Sequence, residues 1–195
     1  MEWRNKIELP KELVDKFVGN AHGDFAHVKE LLELHPELLN VSAQWGETAI
    51  QAAAQMGNVP IADYLIGKGA PVEICTAAML GLRDRVETFV QADAGQVDAT
   101  GAHGIPLLYF PVIRGQCEIA EYLQAHGAKV NAGAGGVTPL HGAVMFAQVE
   151  MTRWLLEHGA DPNLLNYEGK TPLKLAVEAG KEEIAAILRA GGGIE

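Results

Sequence analysis

The sequence predicts an all-α solenoid of stacked antiparallel helix pairs, joined by short β-hairpin fingers. Two observations predict it. The block Thr138-Pro139-Leu140-His141-Gly142-Ala143 returns 33 residues later as Thr171-Pro172-Leu173-Lys174-Leu175-Ala176. Each copy is followed by an amphipathic run, residues 149–156 and 181–188, and the first run ends in His158-Gly159-Ala160. That ending recurs as His126-Gly127-Ala128 and Lys68-Gly69-Ala70. A fixed period of this kind marks a unit that buries its apolar face only against its neighbours.

Taken in order, the units fall at about 11–40, 45–72, 73–96, 103–131, 135–163 and 168–195, within one domain covering 1–195. The residue between the two helices of each unit is Gly23, Gly57, Gly81, Gly115, Ala147 and Gly180, at steps of 34, 24, 34, 32 and 33. The short step leaves no room for a finger between Gly69 and Cys75. The third unit is therefore expected as two bare helices, near Cys75–Leu80 and Arg83–Ala92. The first unit also lacks a full hairpin. The second unit has the matching stretch Gly46-Glu47-Thr48, and in the fifth and sixth units Val137-Thr138-Pro139 and Lys170-Thr171-Pro172 place a threonine where it can cap a helix. A proline follows each of those two threonines, at the first helical position, where a missing N–H costs nothing. The fourth unit reads Gly104-Ile105-Pro106-Leu107-Leu108-Tyr109-Phe110-Pro111. Pro111 falls where a helix interior is expected and predicts a shortened or kinked first helix. The fifth finger, Asn131-Ala132-Gly133-Ala134-Gly135-Gly136, is rich in glycine and reads as flexible.

These residues resemble the ankyrin repeat, whose period and Thr-Pro-Leu-His signature they match. The resemblance runs from about Lys11 to Gly193, and only the fifth unit carries the complete signature. It implies a binding scaffold that meets a partner protein through a concave face of finger tips and first-helix ends. It also implies that His141 is a structural hydrogen-bond partner of the hairpin.

Composition narrows the function further. The formal net charge of −10 opposes binding to a phosphate backbone or an anionic membrane surface. Cys75 and Cys117 have no paired spacing and read as buried small hydrophobes in a reducing compartment. No stretch reaches the roughly 20 apolar residues of a membrane span, and Met1-Glu2-Trp3-Arg4-Asn5-Lys6 does not open a leader. A cytoplasmic protein, monomeric on its own, is expected.

Catalytic and metal chemistry find little footing. His22 and His27 are separated by five positions across a glycine, not by the four of a zinc-binding helix. His126 and His158 precede closing glycines, where an imidazole can bond the last helical carbonyls. Ser42 is the only serine and lacks a nucleophile-elbow context. The glycine run 133–136 is not followed by a P-loop lysine. No catalytic residue, metal or cofactor is therefore assigned. The candidate partner-binding residues are those flanking each finger glycine and those before each inter-helix residue. They are Trp45, Glu47, Gln55, Met56, His103, Ile105, Ile113, Arg114, Val137, Met145, Phe146, Tyr167 and Lys170. Trp45, Met56, Ile113, Arg114, Met145 and Phe146 would be anchors, and Glu47, Tyr167 and Lys170 a polar rim. The alternative is a small enzyme or ligand-binding protein with a pocket at the irregular fourth repeat.

Overall fold

A computed structural model describes residues 9–195, so the reading of the first six residues lies outside the described part. The fold is all-α, built of helix pairs, and no strand ladder occurs among the described residues. The chain forms two compact units, 1–71 and 72–195.

The first unit holds α1 (Lys11–Asn20), α2 (Phe25–Leu34), α3 (Ala49–Gln55) and α4 (Val59–Gly67). α1 packs on α2 and α3, and α4 packs on α2 and α3. Phe17, Val18, Leu38, Ile61 and Leu65 fill the core, and the alanine-rich α3 lets its neighbours approach closely. Thr48 caps α3, accepting from the Gln51 N–H at 3.4 Å while the Gln51 side chain accepts from the Thr48 N–H at 3.0 Å. The link between α1 and α2 departs from the others. Gly23 is not left-handed, and the Asp24 carboxylate caps α2 through the His27 N–H.

The second unit holds α5 (Ile74–Met79), α6 (Arg83–Ala92), α7 (Tyr109–Val112), α8 (Cys117–Ala125), α9 (Pro139–Met145), α10 (Val149–Glu157), α11 (Pro172–Glu178) and α12 (Glu182–Ala190). The first helices of successive repeats form one row, α5 on α7, α7 on α9 and α9 on α11. The second helices form another, with α6 on α8 and α10 on α12. Residues 70–73 carry no secondary structure, and α5 and α6 lie where the short step puts them. Met79, Leu107, Tyr109, Phe110, Ile113 and Leu140 are among its largest buried side chains.

The fingers are tighter than full hairpins. Those ending at Thr48 and Pro106 are each closed by a single antiparallel bridge, Ser42 with Thr48 and Thr100 with Pro106. α7 is cut to four residues, but Pro111 is only part of the cause. Pro106 stands nine residues before Gly115, as Thr138 and Thr171 stand before Ala147 and Gly180. It has no hydroxyl to cap with, so the helix starts late. Pro111 then lies in the first turn, where its missing N–H leaves no intrahelical bond unmade.

Candidate functional site

Each finger turns one flank outward and the other inward. Before the glycine, Trp45, His103 and Glu168 are exposed. After it, Glu47 and Ile105 are buried, and Val137 and Lys170 are half-buried. The expectation that both flanks face a partner therefore needs correcting. Ile105 is a core residue.

Glu47 is no rim group either, since its side chain is 0% exposed. Its Oε2 accepts the indole N–H of Trp45 at 2.8 Å and lies 3.4 Å from His22 Nε2. Trp45 itself is 44% exposed and is fixed by that bond. At the end of α3, Gln55 is half-buried and Met56 exposed.

In the second unit the two residues before the inter-helix position diverge from repeat to repeat. Met79 and Ile113 are buried, Ile113 at 1% exposure, whereas Met145, in the same slot, is 45% exposed. For Ile113 the room is made one repeat on. A Cβ on Gly142 would stand 2.6 Å from the Tyr109 ring and 3.0 Å from Ile113 Cγ2, so those two side chains occupy the space a side chain would need. Ile113 thus belongs to the core and is withdrawn as an anchor. Arg114 remains exposed. Phe146 is half-buried, edge-on to Tyr109 at 6.5 Å between ring centroids. Burial pushes the Tyr109 hydroxyl well above the usual phenol range, with the nearby Tyr167 adding to it.

Tyr167 is 69% exposed on the sixth finger. That finger is tied to the fifth by two backbone bonds, Gly135 N–H to the Leu165 carbonyl at 3.2 Å and Tyr167 N–H to the Gly136 carbonyl at 3.1 Å. Lys170 bridges Glu168 at 3.0 Å and Glu178 at 2.8 Å, so its charge is matched locally. Those two carboxylates hold its ammonium above the usual lysine range.

The histidines have local partners. His141 is fully buried. Its Nε2–H donates to the Lys170 carbonyl on the next finger at 3.2 Å, and its Nδ1 faces the Thr138 N–H and hydroxyl. Burial pulls its pKa below the ordinary histidine value. His126 and His158 donate from Nδ1 to the Tyr122 and Trp154 carbonyls at 2.8 and 2.7 Å. Each also lies against the ring of that residue. Among the described residues no group of three metal-capable side chains comes together. Cys75 is buried, its thiol pushed up to about 12 by burial and then by Glu73. Cys117 is exposed rather than buried as expected, with its Sγ 3.3 Å from Met151 Sδ.

A family model for ankyrin repeats matches three overlapping stretches, residues 17–133, 74–166 and 114–195. The chain belongs to the ankyrin-repeat family. No curated protein sequence matches it.

Two sets of residues that join one ankyrin repeat to the next escaped sequence reading. Gln148 Nε2 donates to the Ile113 carbonyl at 2.9 Å, and Lys181 Nζ donates to the Val144 and Met145 carbonyls, each at 2.7 Å. Each closes the first helix of the preceding repeat. Asn131 and Asn163 form the second set. Asn131 bonds the Gly159 carbonyl and the Asp161 N–H, and Asn163 bonds the Gly192 carbonyl and the Ile194 N–H. Their recurrence at a spacing of 32 was the available signal. At the fourth repeat's finger the cavity measures only about 80 Å³ and is lined by Thr100, Pro106, Leu107, Leu108 and Lys129 among others. Ligand clefts usually span about 300–1,000 Å³.

Proposed function

We propose that this ankyrin-repeat protein is a protein-recognition module, each compact unit presenting its fingers and first-helix ends to a partner polypeptide. One observation carries the reading. In the second unit Met145, Leu165, Tyr167 and Val177 are exposed, and all four lie on fingers or first helices. In the first unit Trp45 and Met56 are exposed on the corresponding elements. The second helices expose mainly charges such as Glu118, Glu121, Glu150, Glu157 and Glu183, although Leu34 at the end of α2 and Leu82 just before α6 are also exposed. Apolar side chains gathered mainly on one class of element and left uncovered mark surfaces that a partner buries. The proposed anchors are Trp45 and Met56 in one unit, and Arg114, Met145, Phe146 and Tyr167 in the other. Gln55, His103, Val137 and Lys170 lie beside them.

Ankyrin-repeat proteins are in most cases scaffolds rather than enzymes. No helix among the described residues is long and apolar enough to cross a membrane. We place the module as a monomer in the cytoplasm, a reducing compartment that suits its two free thiols. The reading is tested by a photo-crosslinking residue placed at Tyr167 and, separately, at Glu121 in native-host cells. Partner adducts are expected from position 167 and not from 121. The reverse pattern would move the interface to the second helices.

A further inference from the structure

We propose that the Trp45 finger of the first unit takes a lysine or arginine side chain of the partner on the open face of its indole. This rests on the reading of that finger as a recognition element and names the chemistry it prefers. Trp45 is exposed yet held, because its Nε1–H donates to Glu47 Oε2 at 2.8 Å. The polar edge of the ring is thereby used, and the face is what a partner meets. An indole that donates to a carboxylate gains electron density, which strengthens the negative face that attracts a cation.

The charge around the finger has the matching sign. Glu47 is buried beneath it, and Asp15 of α1 accepts the N–H of Gln44, the residue before Trp45, at 2.9 Å. The unit already contains one such contact of its own, Lys68 Nζ at 5.3 Å from the centre of the Tyr64 ring. The whole chain carries a net charge of −10, which draws cationic segments and repels acidic ones. Fully buried and 3.4 Å from His22 Nε2 as well, Glu47 bears on a partner through the indole it holds rather than by direct contact.

The full chain is titrated at low ionic strength with blocked Gly-Arg-Gly, Gly-Lys-Gly and Gly-citrulline-Gly peptides. The readout is the indole N–H signal of Trp45 in ¹H–¹⁵N spectra, identified by its loss in Trp45→Phe. The arginine and lysine peptides are expected to bind roughly two- to five-fold more tightly than the neutral citrulline peptide. Added salt should narrow the gap, and so should Glu47→Gln. Trp45→Leu, at an exposed position, should abolish the shifts at the Gln44 and Gly46 amides, and it carries the test if Glu47→Gln does not fold. Equal binding of the citrulline peptide, no response to any peptide, or shifts that survive Trp45→Leu would each overturn the proposal. Partner capture by the same Trp45→Leu protein separates the two levels. If capture falls while the peptides show no preference for charge, the finger recognises a partner by other means. If capture is unchanged and no peptide binds, the finger is not a recognition element.

Discussion

At Ala147 a side chain sits in left-handed backbone, with φ at 54°, in the slot that glycine fills at 57, 81, 115 and 180. An L-residue is strained there by contact of its Cβ with the backbone. Ala147→Gly should therefore stabilise the protein, by about 0.5–1 kcal/mol once glycine's greater unfolded freedom is counted. Urea unfolding would show a raised midpoint with an unchanged slope. His141 gives a second test, in pH. Its folded-state pKa lies below the ordinary value of 6.5, so between the two the unfolded chain binds the proton more readily. The stability linked to this residue is complete above about pH 6.5 and is lost as pH falls from there toward the folded value. His141→Gln keeps the capping arrangement that Thr48 and Gln51 already use. Its unfolding free energy should fall less than that of the native protein over the same acid interval.

Among the elements, α9 and α7 are coupled through an absence. Gly142 lets the Tyr109 ring lie across α9, at the expense of helix propensity. Alanine is the better helix former, yet Gly142→Ala should destabilise by about 1–3 kcal/mol, because overpacking a filled core outweighs the propensity gain. Pairing it with Tyr109→Leu should cost less than the sum of the two single changes, as measured by a double-mutant cycle. Lys181 tests a different joint. It donates to the Val144 and Met145 carbonyls at the end of α9 from the following repeat, and burial lowers its pKa. Lys181→Ala should cost about 1–2 kcal/mol. Amide hydrogen exchange would find the loss of protection concentrated in α9 and α11 rather than spread evenly, because repeat stability is a sum of neighbouring interfaces.

For the molecule as a whole, charge sets how partners arrive. With 25 acidic against 15 basic residues, association with a cationic partner should be steered at low salt. Its on-rate should fall as salt shortens the screening length to about 8 Å at physiological ionic strength, while the off-rate changes less. Stopped-flow mixing with the captured partner across a salt series checks this. A rate indifferent to salt would assign recognition to the apolar residues alone.

The repeat period, the capping threonines Thr138 and Thr171, and the bare third repeat were all legible in the sequence, whereas the Thr48 cap came only with the structure. The caps and helix ends depend on contacts within a few residues, where side-chain chemistry and backbone geometry determine one another. The sequence by itself therefore determined the fold family and the two helices of the third repeat. Which side chains the fold covers was decided only by tertiary structure. Ile113 and Met145 share one slot, yet one is core and the other is open, and the room that Ile113 fills is left by Gly142 in the next repeat. Glu47 read as a charged rim residue and is instead the buried acceptor that holds Trp45. Burial at these positions depends on residues about thirty places away along the chain. A local pattern carries no record of what its neighbour in space has left empty.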